Sequence, residues 1–355
     1  MKIKSAFKEY LVDFCEDLSY VEQLAEDPNT FFVLDRNVYA FCCDHLRALP
    51  KERLFFLDAV EEKKNMETAL DICERMTAMP AKRNACLVSI GGGITQDVTG
   101  FVAANLYRGI RWIFFPSTLL AACDSCIGGK SSLNYKGFKN LLGSFYPPDA
   151  IWVHPQFFRS LTMKDYCSGL GEVLKFNVIA GDDGVGKMER DLDDLLAHDY
   201  VKLLEYIRIS LAFKKGFIEA DEFDRGRRVL LNYAHTFGHA YETISHYALP
   251  HGSAVALGMI TANHISAARG WISEDYAGRI RRLCQKILQY ISWDESWFTI
   301  DAIMGAVRKD KKQTSRHITA VLMDSSHQLE LVHDVKEEEI GRAVQCLLVD
   351  RRETF

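Results

Sequence analysis

The segment 230–259 reads LLNYAHTFGHAYETISHYALPHGSAVALGM and holds four histidines, three of them beside small or turn-forming residues. In a helix, His235 and His239 project from the same side, and His251 follows a proline where a further helix would begin. Neutral imidazoles placed in this way suit a divalent cation. A carboxylate such as Glu172 would complete three protein ligands and leave one coordination position open to substrate. The segment lacks H-E-x-x-H, and a core or capping role is the commoner fate of any single histidine. Spacing alone leaves open whether His239 ligates an ion or works as an acid or base beside it.

Glu172 lies in GLGEVLKFNVIAGD, three residues before Lys175, so an acid and a base share one helical turn. Taken alone, that pair reads first as an ordinary surface ion pair. Two further stretches suit phosphate. SIGGGITQDVTGFVAANLYRG places Gly91, Gly92 and Gly93 between a hydrophobic strand and an apolar helix, where backbone N–H groups and the helix dipole can receive an anion. It is not G-x-G-x-x-G, and a tight turn supported by Asp97 is the plain alternative. DSCIGGKSSLNYKGFKNLLGSF (124–145) interleaves an aspartate with glycines, lysines and two asparagines, which fits a phosphate ester or a solvated basic loop.

The elements that must position these residues change character along the chain. TFFVLD (30–35), RLFFLD (53–58), ACLVSI (85–90), IRWIFFP (110–116) and AIWVHP (150–155) are β-rich runs separated by helical patterns, which predicts a mostly parallel sheet. Beyond about residue 161 the pattern is helical, as in 201–220 and 277–291, with one β-like patch at 317–323. The expected organisation is an α/β domain over 1–158 and an all-α domain over 159–355. Domains run to about 100–200 residues each. The length of this chain, 355 residues, fits two of them.

Apolar residues make up 48% of the chain and charged residues 26%. That is the composition of a soluble globular protein. A net charge of −5 argues against a nucleic-acid surface but not against a local basic pocket. No apolar run approaches the ~18 residues of a membrane span, and the acidic, interrupted opening is not a signal peptide, so a cytoplasmic location is expected. Ten cysteines, including a lone C-x-x-C at Cys123 and Cys126, match neither a disulfide framework nor a paired zinc spacing and read as free thiols.

Together the motifs resemble the sugar phosphate cyclase family, most closely its 3-dehydroquinate synthase branch. GGGITQDVTGFVA, LYRG, PSTLLAACDSCIGGKSSLN, KNLLGSF, GLGEVLK, RRVLLNYAHTFGHA, HGSAVALGM and DKK follow in the family's order and spacing from about residue 30 to residue 312. The resemblance implies an N-terminal α/β domain that binds NAD, a helical metal-binding domain, substrate in the cleft between them, and a homodimer. It also implies Zn2+ or Co2+ on Glu172, His235 and His251, with His239 unliganded near the substrate phosphate. On the NAD side it implies Asp35, Asn37, Glu61, Lys64, Gly91, Gly92, Gly93, Asp97, Ser117, Thr118 and Lys139, with Asp124 and Lys130 shared with substrate. Arg108, Lys130, Asn140, Asn232 and one of Lys311 and Lys312 match phosphate-side positions. Asp124, Lys175 and Lys214 match positions near hydroxyls and carboxylate, and Arg228 matches the carboxylate-binding arginine.

The implied reaction is carbocycle formation from 3-deoxy-D-arabino-heptulosonate 7-phosphate, an anionic seven-carbon sugar-acid phosphate, through oxidation by NAD, phosphate loss, reduction, ring opening and aldol closure. NAD is regenerated. Departures from the family pattern are Ala234 and Gln96 for Gly, Ser253 for Glu, Tyr146 for His and Gly171 for Ala. They leave the metal triad intact and suit a specialised cyclase making a cyclitol or amino-dehydroquinate. Retention of Arg228 favours a keto-acid, because a buried guanidinium without its anion is costly. A metal-dependent alcohol dehydrogenase would show net NADH production, and a non-catalytic descendant would have lost triad or lysine positions.

Overall fold

The structure is a computed structural model and describes residues 1–42, 44–309 and 317–354. Its strands in the first part are β1 (Lys2–Lys4), β2 (Glu9–Phe14), β3 (Thr30–Asp35), β4 (Leu54–Leu57), β5 (Cys86–Gly91), β6 (Arg111–Pro116), β7 (Lys130–Tyr135), β8 (Phe138–Phe145) and β9 (Ala150–Val153). Seven of them form one sheet in the order β1-β2-β9-β6-β5-β3-β4, parallel except where β1 runs against β2. The five β-rich runs named from the sequence are all strands of this sheet. Every residue of β3 and β5 is buried, as expected where both faces of a parallel sheet are covered. The helices here are α1 (Ser19–Glu26), α2 (Arg36–Phe41), α3 (Asp44–Arg47), α4 (Met66–Thr77) and α5 (Gly93–Asn105). Phe32, Leu34, Val88, Ile90, Ile113 and Phe115 form the core with Leu18 and Val21 of the α1 region.

Residues 130–145 are not the solvated basic loop that was one reading of this segment. They form an antiparallel hairpin, β7 with β8, closed by Lys136 and Gly137 at φ 47° and 81°. Two consecutive positive-φ residues are the two-residue turn whose twist matches a hairpin. The strand signal is weak because both strands present mostly polar or part-exposed residues.

The remaining helices are α6 (Met163–Ile179), α7 (Asp182–Leu196), α8 (Tyr200–Ala220), α9 (His235–Ile244), α10 (His251–Ala268), α11 (Glu274–Leu288), α12 (Ile300–Lys309) and α13 (Glu337–Thr354). The apolar helix α10 is buried along most of its length and packs against α6, α9, α11 and α13, as a helix hydrophobic all round must. The β-like patch is strand β10 (Ile318–Met323), which pairs with β11 (Leu329–Val335), so a small hairpin accompanies the helices. Contacts divide the chain into one unit of Met1–Thr162 with Lys215–Phe223 and another of Met163–Lys214 with Asp224–Phe355. Among the described residues no helix is long and apolar enough to cross a membrane.

Candidate metal centre and cofactor turn

Three helices bring the metal candidates together in the second unit. Glu172 lies within α6, His235 is the first residue of α9 and His251 the first of α10. Glu172 Oε1 is 3.4 Å from His235 Nε2 and 3.2 Å from His251 Nε2, and the three donor atoms lie within 4.8 Å of one another. Among the described residues neither Glu172 oxygen has an aligned hydrogen-bond partner. Ligands ~2.0–2.1 Å from a tetrahedral zinc ion stand about 3.3 Å apart, so both separations fit a shared cation. Two imidazoles and one carboxylate are also the donor set of a catalytic zinc site with an open position.

The other side of each imidazole is tied down. His235 Nδ1 is 3.0 Å from the Tyr233 carbonyl, and His251 Nδ1 is 3.1 Å from Glu242 Oε2. A carbonyl oxygen only accepts, so Nδ1 of His235 donates and its Nε2 keeps a lone pair toward Glu172. Tyr233 is held in turn by its hydroxyl, which donates to Asn263 Oδ1 on α10 at 2.6 Å.

Glu172 uses its oxygens separately: Oε2 lies 2.5 Å from Lys175 Nζ, and both side chains are buried. Burial alone would raise the Glu172 pKa, but Lys175 and the two imidazoles hold it well below the usual carboxylate range. Burial, aided by Lys175, pushes His235 well below its ordinary value and keeps it neutral. For His251 burial acts downward, yet Glu172 and Glu242 outweigh it and push the imidazole up to about 10. A divalent ion binding between these groups would displace the proton they hold.

Local structure explains the entry to α9. Residues Arg227–Asn232 form a 3-10 turn, Tyr233 is extended, and Ala234 takes the left-handed conformation at φ 69° before His235 opens the helix. That φ is the reason glycine suits position 234. Arg228 and Lys214 are buried, and Asn232 Nδ2 donates to the Val229 carbonyl at 2.9 Å. His239 is half-buried, its ring centroid 5.3 Å from that of His235 and 5.7 Å from that of His251. Lys311 and Lys312 lie outside the described residues. Glu242 was not singled out in the sequence, although 235, 239 and 242 are spaced to share one helical face.

In the first unit, β5 ends at Gly91 and α5 begins at Gly93, with Gly92 as a cap that supplies no side-chain acceptor. A Cβ on Gly91 would overlap Thr95 and one on Gly92 would overlap Thr118, whereas Gly93 faces open space. A helix N-terminus presented through such a turn can take a pyrophosphate. Ser117 N donates to the Gly91 carbonyl at 2.8 Å, and Thr118 Oγ1 accepts from Ala121 N at 3.2 Å. Asp35 caps α2, accepting from Asn37 N at 2.9 Å, and its carboxyl is raised chiefly by burial; Asn37 is exposed.

The hairpin is fastened to the segment before α4. Lys64 Nζ reaches Asp97 Oδ2 at 2.5 Å and Asn140 Oδ1 at 2.6 Å, and Ser132 Oγ donates to Asn140 Oδ1 at 2.9 Å. Asn134 Nδ2 donates to Glu61 Oε1 at 2.7 Å, and Lys139 Nζ is 3.8 Å from the same oxygen. Five of the expected residues, Glu61, Lys64, Asp97, Lys139 and Asn140, thus sit in linked polar contacts. Ser132 bridges Asp97 and Asn140, and Asn134, which accepts from Asn140 N at 2.9 Å, connects Glu61 and Lys139 to them. Neither Ser132 nor Asn134 was singled out in the sequence. Asp124 lies on a π-helical turn, Ala121–Ser125, whose Ser125 exchanges two hydrogen bonds of 2.7 Å with Gln96. Lys130 is exposed at the start of β7, and Arg108 is exposed at φ 67°. Cys123 and Cys126 are buried free thiols.

The 3-dehydroquinate synthase N-terminal family model matches residues 54–168 and the C-terminal model residues 169–313. The 3-dehydroquinate synthase of Clostridium tetani is 33% identical over 347 residues, covering 97% of this chain and 89% of the relative. A 2-deoxy-scyllo-inosose synthase complexed with carbaglucose-6-phosphate, NAD+ and Co2+ superposes with a TM-score of 0.85 at 25% identity, covering 97% of this chain and 98% of its own. The 2-epi-5-epi-valiolone synthase of Streptomyces hygroscopicus, with NAD+ and Zn2+ bound, has the same TM-score at 24% identity over 98% and 99% of the two chains. With both family models matched in tandem and a relative aligned over nearly the whole length, the chain belongs to the 3-dehydroquinate synthase family.

Proposed function

We propose that this chain is an NAD- and divalent-metal-dependent enzyme that forms a carbocycle from an anionic seven-carbon sugar-acid phosphate with loss of phosphate, the 3-dehydroquinate synthase reaction. The observation that carries the reading is the meeting of Glu172, His235 and His251 at zinc-like separations in a chain of this family. Glu172, His235 and His251 would hold the cation, and the turn Gly91–Gly93 with Asp97, Ser117 and Thr118 would hold the dinucleotide. When bound, NAD would take and return a hydride and the cation would serve as Lewis acid toward substrate oxygens.

The chain's own groups do the rest. Lys175, beside Glu172, would keep the carboxylate ionised and bind a substrate oxygen. Arg228 and Lys214, both buried, would neutralise the substrate carboxylate, and Lys130, Asn140, Arg108, Asn232 and His239 would bind the phosphate side. Asp124 would orient a hydroxyl. Asp35, Asn37, Glu61, Lys64 and Lys139 would contact the dinucleotide. The active form is a cytosolic homodimer.

The second reading, a specialised cyclase, draws on the likeness to the inosose and valiolone synthases and on Ser253, a fully buried hydroxyl in place of glutamate. One assay separates the two. With 3-deoxy-D-arabino-heptulosonate 7-phosphate, catalytic NAD and zinc, the expected products are phosphate and dehydroquinate with no net NADH. No turnover by folded, metal-loaded protein would reject the main reading, and turnover of glucose 6-phosphate or sedoheptulose 7-phosphate would establish the second.

A further inference from the structure

We propose that Glu242 is a positioning residue of the metal centre, holding His251 through Nδ1 so that Nε2 is aimed at the cation; the inference rests on the metal reading above. Glu242 Oε2 lies 3.1 Å from His251 Nδ1, on the side of the ring opposite the 3.2 Å approach of Nε2 to Glu172 Oε1. A carboxylate accepts, so Nδ1 donates to Glu242, and Nε2, the nitrogen turned toward Glu172, is the ring atom left to face a cation. A metal-bound imidazole whose second nitrogen donates to a carboxylate is fixed in tautomer and orientation and is the more basic for it.

The neighbouring ligand is held in the same sense. His235 Nδ1 donates to the Tyr233 carbonyl at 3.0 Å, so both rings are tied through Nδ1 and both Nε2 atoms face one carboxylate oxygen. His235 starts a helix and takes its acceptor from the backbone just before it. His251 also starts a helix, α10, but the preceding Pro250 is extended, and its acceptor comes from α9. Positions 235, 239 and 242 share a side of α9, which turns Glu242 toward the centre. Its side chain is only 16% exposed, so the carboxylate is held among neighbours and not free in solvent.

The same atoms allow a rival role. His239, Glu242 and His251 also lie close enough to hold an ion themselves, in which case Glu242 would be a ligand. The two roles differ in what loss of the carboxylate does: a positioning residue weakens binding, whereas a ligand abolishes it.

The test is a zinc dissociation constant, measured on chelator-stripped protein by competition with a chromophoric chelator, for wild type, Glu242→Gln, Glu242→Ala and His235→Ala. Thermal midpoints of the apo forms and the visible spectrum of the Co2+ forms are recorded alongside. Expected are one zinc per wild-type chain, none held by His235→Ala, and binding about 10- to 100-fold weaker in Glu242→Ala. Glu242→Gln, which keeps an acceptor oxygen without the charge, should recover part of that loss, and its Co2+ spectrum should shift. Should the alanine variant not fold, the glutamine variant alone carries the comparison. Zinc binding by both Glu242 variants equal to wild type overturns the inference and leaves the metal reading intact. Complete loss of zinc in Glu242→Gln overturns it in favour of a ligand, and equal binding by wild type and His235→Ala overturns the metal reading itself.

Discussion

The Ser168 carbonyl lies against Gly252 where any Cβ would overlap it, and Ser168 Oγ accepts from Gly252 N at 3.0 Å. One turn beyond Ser168 on α6 is Glu172, and next to Gly252 on α10 is His251. The spacing of the candidate ligands Glu172 and His251 therefore depends on two backbones touching. Gly171 makes a second such contact, since a Cβ there would overlap the Gly252 carbonyl.

Gly252→Ala should force α6 and α10 apart. Overpacking of this kind costs roughly 1–3 kcal/mol, and it should also weaken zinc binding, because the His251–Glu172 separation changes. Thermal unfolding and a zinc titration of the purified variant check both effects, and a variant with wild-type stability would show that the helices can part without strain.

Metal content should separate the histidines by role. His235→Ala and His251→Ala are expected to purify without stoichiometric zinc, whereas His239→Ala should retain it and lose turnover. Elemental analysis of the three proteins decides this, and a zinc-free His239→Ala would reassign that residue as a ligand.

Glu172→Gln should be the most destabilising change at the centre. It removes the charge facing buried Lys175 Nζ at 2.5 Å. Breaking a buried ion pair costs about 3–5 kcal/mol. Urea unfolding of apo proteins should rank it well below His235→Ala, which leaves the pair in place.

Ala234→Gly is expected to stabilise the protein. A left-handed alanine costs ~1–2 kcal/mol, part of which is returned because glycine gains freedom in the unfolded chain. The net gain should be about 0.5–1 kcal/mol. Ala234→Val should destabilise, since branched side chains avoid positive φ and position 234 sits at φ 69°. Denaturant midpoints of the two variants should move in opposite directions.

Part of the acid sensitivity should trace to Arg269. Its guanidinium bonds Glu339 at 2.7 and 2.9 Å and Asp334 at 2.9 Å. Burial tends to raise Glu339, but Arg269 outweighs it, and both carboxyls lie below their ordinary values. Depressed carboxyls contribute stability that is fully present above their unfolded pKa of ~4 and is lost as pH falls through the folded values. Arg269→Leu should lose roughly 1.5–3 kcal/mol at neutral pH and show a flatter stability profile below about pH 4. A parallel profile in urea titrations would place the acid response elsewhere.

The sequence by itself determined strands β3, β4, β5, β6 and β9, most plainly β3 and β5, because parallel strands buried on both faces must be nearly continuous apolar runs, as TFFVLD and CLVSIG are. It also offered the candidate donor types, imidazole and carboxylate, and the shared face of His235 and His239, since the helical period fixes neighbours within one helix. Only the tertiary structure decided the rest. The hairpin of β7 and β8 and strand β11 have polar or alternating exposed faces, so their pairing rests on partners that composition does not announce. Glu172 meets His251 where Gly171, Gly252 and the Ser168 carbonyl let α6 and α10 touch, and His235 comes from α9. The orientation of the His251 ring follows from Glu242, an acceptor whose distance is set by how α9 and α10 pack and not by the order of residues along the chain.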